Sequence, residues 1–504
     1  MQCQAIWKKT IKEVSAGSMA GPFTMDQIVE RHGQYFNLVP SFGLQQGFSE
    51  DGSLKYRRID DHSASLNNAA GCRKQRIDMA MADYVVVLVK SAFKKFGKSV
   101  HLATEDMQGA YRQVPLPDSQ VAMSITAVTN PDTMKASLFE LYGQPFGAAH
   151  AVPNFYRVSE FICQLILKQF KLLLDHFFDD FFLAAPAVDA NLSMFVVREA
   201  FKLLGFTLDP NKSQPPAELC NILGVVFNTA SLESQKMLSV QSKGSRQENF
   251  SFLVDKILAE QYLPPSLAAS VLGKFGFLCS TMFGKLGRAC TGPLRTRQYS
   301  QSADCTLSPA LIYSLKLMQQ LVQHAPSRAF LLEDSRPPLI LYTDASDVPD
   351  RIDGRAILGA VLLDPLLDFE ILYTYWVVPD EILHRWCPRQ TYMFPLEIMA
   401  GPLAMMTWKE RMSDRHLLHF IDNDGAASSL VRGYSPSVDS AQLVAEYWLH
   451  TADARAFVYI DRVESKSNLA DGPSRLEFAL MQSLKAVFVP PVPVDTLLFR
   501  GSAL

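Results

Sequence analysis

Two adjacent acids stand inside an unbroken aromatic run, Phe177-Phe178-Asp179-Asp180-Phe181-Phe182, and few folds tolerate such a segment. Taking a carboxylate out of water costs several kcal/mol unless a partner compensates. An exposed turn is the bland alternative, but turns favour Gly, Asn and Pro over phenylalanine. Leu172–Ala185 is apolar on both sides of the pair, which predicts a strand hairpin with the acids at its tip. A divalent cation offsets the desolvation and gives the arrangement a use. Upstream, Asp106 follows a short strand expected over Val100–Ala103. Asp106, Asp179 and Asp180 therefore read as ligands for two metal ions, the arrangement used in phosphoryl transfer. One ion activates an attacking 3′-hydroxyl, and the other holds a triphosphate and its leaving pyrophosphate. Oxygen-only ligation suits Mg2+, with Mn2+ as the alternative.

Four further acids each lie at the edge of an apolar element. Asp344 follows the strand that opens at Leu339, and Glu397 lies in the run Phe394–Gly401. Asp422 directly follows Leu417–Ile421, and Asp471 sits between Asn468 and Arg475. Converging without cations, they would repel one another. With two Mg2+ they become a nuclease site that positions a water for in-line attack on a phosphodiester. The bland reading of Glu397 is the solvent face of an amphipathic helix. Asp424 rivals Asp422, because it points the same way if the segment is extended. Asp422 is favoured because it follows the strand directly. His416 and His419 suggest a metal pair but read better as ordinary strand-edge residues.

The order of segments across residues 55–228 resembles the reverse transcriptases of retrotransposons and pararetroviruses. Asp106 with Tyr111 resembles their first palm motif, and Tyr142–Gly147 resembles the "PFG" segment. Phe177–Asp180 resembles the aromatic-x-Asp-Asp motif, with Phe177 where many relatives carry tyrosine. Leu204-Gly205-Phe206 with Lys212 resembles the following motif, and Ile222-Leu223-Gly224 the strand that grips the primer. Lys55, Arg57, Arg58, Asp60 and Asp61, with Leu66 and Asn67, resemble the fingers segment. The resemblance implies a steric-gate role for Tyr111, whose ring would clash with a 2′-hydroxyl and favour deoxynucleotides. It also implies that Phe146 and Gly147 support the template and incoming base, that Lys212 lies near the departing pyrophosphate, and that Arg57, with Lys55 and Arg58, holds the triphosphate.

Residues 337–478 resemble ribonuclease H, with Asp344, Glu397, Asp422 and Asp471 matching its four carboxylates in order. Thr343–Ser346 and Asn468–Arg475 also look like the ribonuclease H domains fused to retrotransposon polymerases. No histidine matches the product-release loop of some ribonucleases H. Together these resemblances imply a right-hand polymerase of fingers, palm and thumb, followed by a ribonuclease H-like mixed sheet with helices. The implied function is RNA-directed DNA synthesis with ribonuclease H activity. The implied partners are a primed RNA or DNA template, an RNA–DNA hybrid and deoxynucleoside triphosphates. Long-terminal-repeat and DIRS-like parent elements both stay open. A decayed or domesticated copy that binds nucleic acid without catalysis is the competing reading, against which all seven carboxylates are present.

The length of 504 residues fits about three domains. The expected class is α/β and α+β multidomain: 1–54 an irregular segment belonging with the fingers, 55–228 fingers and palm, 229–336 thumb and connection, 337–478 the ribonuclease H-like domain, 479–504 a tail. Helices are expected over Met79–Lys95, Ala148–Lys171 and from Asp189, as cap, to Gly205, with a strand over Ala136–Leu141. Thr229–Phe250 reads as a polar linker, 251–300 as helical, and 301–337 as holding a further helix. The net charge of −3 does not announce a nucleic-acid binder. Between Gln261 and Ser300, however, stand five basic residues, Lys274, Lys285, Arg288, Arg295 and Arg297, and no acid. Interleaved with aromatics and glycines, they suit a phosphate backbone, with a solvated helix face as the alternative.

Eight cysteines scattered singly exclude a zinc knuckle and fit a reduced intracellular compartment, cytoplasmic or nuclear. Met1–Thr10 has no signal-peptide core, and apolar runs such as Tyr84–Val89 are too short to span a bilayer, so no membrane partner is expected. No aspartic-protease Asp-Thr/Ser-Gly motif stands in a suitable place, and no integrase or recombinase pattern is seen. The expectation is a piece of a larger coding region or a truncated copy.

Overall fold

In the computed structural model, described over residues 2–48, 54–71, 77, 82–349, 351–352 and 354–494, the chain forms two compact units, Met1–Leu223 and Gly224–Leu504. Cys72, positions 79–81 of the expected helix and the tail beyond 494 lie outside the described residues. Both units are mixtures of helices with mixed sheets. No helix among the described residues is long and apolar enough to cross a membrane.

The first unit contains a four-stranded antiparallel sheet in the order Leu173–Phe177, Asp180–Pro186, Val100–Asp106, Gln214–Ala217. Asp180–Pro186 is apolar without alternation because both its faces are covered. Phe181, Leu183 and Ala185 pack on the helices Ala151–Phe170 and Ala190–Leu203, and the helix Ala82–Phe96 also packs on this strand. Asp189 stands at the N-cap but its side chain makes no capping bond, and that helix ends at Leu203, two residues before Gly205. Asp189 has helical backbone angles, which turn its carboxylate away from the first free amides.

A second, five-stranded mixed sheet runs Met19–Phe23, Ala136–Leu141, Ile125–Thr129, Leu38–Phe48, Leu54–Asp60. The irregular start expected over 1–54 is therefore wrong: the segment holds helices Gln2–Ser15 and Met25–His32 and two of these strands. Ile6, Trp7, Ile11 and Val14 pack on Met19, Val128 and Phe139, partners distant in sequence that local periodicity cannot show. Thr24 and Gln27 form a reciprocal capping box that starts the second helix.

In the second unit, the expected linker over Thr229–Phe250 contains the strand Met237–Ser242 and the start of the helix Gly244–Glu260. Leu238 and Val240 are buried while Ser239 and Gln241 are less so, a period-two pattern short enough to pass as polar linker. The strand pairs with Val225–Asn228 and Arg328–Leu331. Helices follow at Pro265–Cys279, Gly292–Gln298 and Pro309–His324.

The rest of the unit is built on a six-stranded sheet, Phe457–Arg462, His416–Ile421, Leu339–Asp347, Ala356–Asp364, Glu370–Val378, Val487–Phe488. The first three strands are parallel and the next two antiparallel. The helix Met393–Thr407 packs on its central strands and on the helix Val438–Asp453, and is buried on nearly every side.

Candidate active sites

In the first unit the hairpin places its acids at the tip, as expected. Phe177 pairs with Asp180, leaving Phe178 and Asp179 as a two-residue turn. Phe178 adopts a positive φ of 53°, which is strained for a bulky side chain. Its ring packs against Phe177 with centroids 5.1 Å apart, and its carbonyl lies 3.2 Å from His176 Nδ1. Antiparallel register sets Asp106 opposite Asp180, and the amide of Met107 donates to the carbonyl of Asp179 at 3.1 Å.

Lys212 donates to the Asp106 carboxylate at 2.7 Å, while the Asp209 amide donates to the Asp106 carbonyl at 2.8 Å. Asp180 is pushed up to about 7 by desolvation on its protein side, a hydrogen bond with Asp106 and the nearby Asp179 charge, although its outer side is open to solvent. Asp179 is raised by desolvation and by Asp106. Burial opposes the charge of Lys212, but the bond to Asp106 outweighs it and raises the ammonium. Asp106, Asp179 and Asp180 form an oxygen-only donor set that suits a hard divalent cation.

Around them, Tyr111 stacks on Phe155 with centroids 4.6 Å apart and meets Phe146 edge-on at 5.8 Å. Burial, with Asp179 adding to it, pushes the Tyr111 phenol up to about 12. Arg57 is exposed and lies over the Phe146 ring at 5.3 Å. Gly147 has φ +116°, and a Cβ there would fall 2.4 Å from the Asp60 carbonyl oxygen, so no side chain fits. Arg58 departs from expectation. It is buried, bonded to Glu13 at 3.0 Å and Asp60 at 3.1 Å, and therefore structural. Burial works against the Asp60 carboxylate, but Arg58 and Arg112 hold it below the usual range. Leu223 and Gly224 both have positive φ and form a turn where a strand was expected.

In the second unit Thr343 pairs with Ile421 across parallel strands, and Asp344 and Asp422 come just past the end of that pairing. The strand of Asp344 does not end there but runs on to Asp347, with Asp344 opposite Gly359. Glu397 comes from the Met393–Thr407 helix. Carboxylate oxygens of Asp344, Glu397 and Asp422 lie within 4.8 Å of one another. Asp106, Asp179 and Asp180 are not grouped this closely; among the described residues only the second-unit triad is. Asp471 faces the same charges but pairs with Arg475 at 2.8 Å and is not part of the tight group.

Glu397 is only 3% exposed, which rules out a solvent face, and its Oε2 has no hydrogen-bond partner. Desolvation first, then Asp344, Asp422 and Asp471, push it up to about 9. Asp344 is pushed up to about 7, chiefly by desolvation. An orphaned buried carboxylate oxygen facing two other acids is the setting a divalent cation satisfies.

Asp424 is not extended beside Asp422. It begins the helix Asp424–Arg432, capped by Asn423, and points outward to Arg462 at 2.9 Å. His419 is not at a strand edge: it is fully buried between Thr343 Oγ1 and Tyr447 Oη, both 2.9 Å away, and neither ring nitrogen is left for a metal. Burial lowers its pKa to about 3. His416 packs on Phe457.

The Tyr447 ring also touches the helix that carries Glu397, where a Cβ on Gly401 would lie 2.8 Å from it. Sequence reasoning missed the supporting residues. Ser474 donates to Asp344, and Asn468 donates to the Thr343 carbonyl at 3.0 Å and to Asp344 at 3.4 Å. Both lie in the segment Asn468–Arg475 already singled out. Gly359 lets that segment lie on the sheet, because a Cβ would stand 2.5 Å from the Ser474 nitrogen.

Of the five basic residues, Lys274 is exposed on its helix. Arg288 donates to the Arg432 carbonyl at 3.3 Å, and Lys285 packs by Gly433, both at the end of the Asp424–Arg432 helix. Arg295 lies over the Tyr434 ring at 5.7 Å. Arg297 pins the carbonyls of Leu263, Asp304 and Thr306, a structural task that the charge pattern alone did not reveal.

The metal-free protein is expected to lose stability as pH rises. Unfolded, Glu397 ionises near the ordinary glutamate value of 4.5, while folded it keeps its proton to about 9. The unfolded chain thus binds fewer protons throughout that window, and stability falls across it. Glu397→Gln should weaken the dependence, leaving the part due to Asp344 and Asp180, and should gain on the order of 2 kcal/mol at pH 8 in chelator, with little change near pH 4.5. Urea titrations of both chains at the two pH values check this. A wild-type curve independent of pH contradicts it.

No family model matches the sequence, and no curated protein matches it. Among solved structures the chain is similar to the foamy viral protease-reverse transcriptase dRH in complex with double-stranded DNA. The identity is 11% and the TM-score 0.49, over 90% of this chain and 68% of that one. It is also similar to the foamy viral protease-reverse transcriptase with double-stranded DNA, at 11% identity and TM-score 0.49, over 92% and 83%. For that protein with an RNA/DNA hybrid the values are 11% and 0.40, over 88% and 73%.

Proposed function

We propose that this chain is an RNA-directed DNA polymerase with ribonuclease H activity, from a retroelement. The observation that carries the reading is convergence: in each unit, paired strands bring together acids far apart in sequence. In the first unit, Asp106, Asp179 and Asp180 would hold Mg2+, which when bound activates the primer 3′-hydroxyl and neutralises the triphosphate. Lys212, which bonds Asp106, would meet the departing pyrophosphate, and Arg57 the triphosphate. Tyr111, locked by Phe155 and Phe146, forms the floor beneath the sugar.

In the second unit, Asp344, Glu397 and Asp422, with Asp471 at the rim, would hold Mg2+ for hydrolysis of RNA in a hybrid. Asn468 and Ser474 orient Asp344. Lys274, Lys285 and Arg288 are proposed to track the nucleic-acid backbone, Arg288 with the part of its guanidinium not given to Arg432. Primer extension on an RNA template with Mg2+ and deoxynucleotides tests the first activity, and cleavage of labelled RNA in a hybrid tests the second.

The gate gives a separate expectation. Tyr111→Ala removes the ring below the sugar and should relax discrimination against ribonucleotides by about tenfold or more, while DNA synthesis persists. Single-nucleotide incorporation with dNTP and NTP pairs measures it. Unchanged discrimination removes Tyr111 from that role.

A further inference from the structure

The second unit contains a cavity of about 610 Å³ whose lining includes none of the clustered acids. Its walls are the helices Gly292–Gln298 and Pro309–His324 and the first turns of Val438–Asp453, with Tyr434–Ser437 closing one side. That volume suits a small organic ligand.

The wall chemistry narrows the class. Leu311, Leu317, Pro293 and Val438 make it chiefly apolar, and no Asp, Glu or Lys lines it. Arg297 reaches the wall, but its guanidinium is spent on the carbonyls of Leu263, Asp304 and Thr306 at 3.2, 3.2 and 2.8 Å. Neither a cation nor an anion would find a free counter-charge among these residues.

Two wall hydroxyls are also engaged: Ser308 caps its helix, and Thr296 donates to the Gly292 carbonyl at 3.4 Å. Ser435 differs. It is 1% exposed, and its hydroxyl has no hydrogen-bond partner. A buried, unpaired hydroxyl in the wall of an apolar cavity marks where a ligand's polar group belongs.

We propose that this cavity binds an uncharged, largely apolar molecule of aromatic-ring size whose single acceptor group takes a hydrogen bond from Ser435. The proposal is independent of the polymerase and nuclease reading.

The test uses the full chain and the neutral naphthalene ketone Prodan, whose carbonyl serves as the acceptor and whose emission shifts to the blue in apolar surroundings. One saturable site per chain is expected, with Kd on the order of 10 µM. Ala441→Phe, which grows a ring into the cavity from a half-buried wall position, should weaken binding at least about tenfold. Ser435→Ala should weaken it about fivefold. Ala445→Leu serves as the filling variant if Ala441→Phe does not show the wild-type circular dichroism and melting. Absence of saturable binding to the wild type overturns the proposal. So does equal binding by the wild type, the filled chain and Ser435→Ala.

Discussion

Asp179→Asn should reduce DNA synthesis by roughly a thousandfold or more, with the fold and primer–template binding intact. Asp179 sits at the tip of a two-residue turn whose partner strands are set by Phe177 and Asp180. Asparagine keeps the shape and removes a negative charge from the group around Asp106. Because burial first, and then neighbouring carboxylates, raise both Asp179 and Asp180, the neutral variant relieves desolvation and repulsion and should not unfold the protein. Primer extension on an RNA template, beside a binding assay on the same primer–template, separates the outcomes. A wild type that binds but does not extend would favour the decayed, binding-only reading.

Asp344→Asn should abolish cleavage of RNA in a hybrid to a similar extent, roughly a thousandfold, and leave primer extension near wild type. Its carboxylate is held by Ser474 and Asn468 and faces Glu397 and Asp422, so the amide loses one charge in the tightest acid group of the chain. The side chain is buried and raised to about 7, so the substitution should not destabilise the metal-free fold. A quenched fluorescent hybrid gives the rate. Cleavage that survives in Asp344→Asn would remove this cluster from the reaction.

Much of both sites was legible because their acids end short apolar runs, a local signal. The hairpin around Asp179-Asp180 and the strand that ends before Asp422 were read from such runs, whereas the strand carrying Asp344 runs on to Asp347. What the sequence hid depends on distant partners. The Gln2–Ser15 helix shows its meaning only against Val128 and Phe139. Arg58 looked like a phosphate ligand until Glu13 and Asp60 were seen to enclose it. Arg297 looked like part of a grip because its three carbonyl partners carry no charge to notice. Asp424 rivalled Asp422 only while the segment was imagined extended. Asn423 capping a helix there turned it away.

The contact between Gly401 and the Tyr447 ring changes how the integrity of such a chain should be judged. Counting carboxylates treats a copy as intact when every acid survives. Yet one methyl group at Gly401 would press against a ring that also bonds His419, and so would disturb the helix of Glu397 and the strand leading to Asp422 together. The acid cluster can therefore be disrupted through a glycine while its roster of acids stays complete. Erosion of this site would show first in packing positions, and a survey of chemistry-bearing residues alone would miss it.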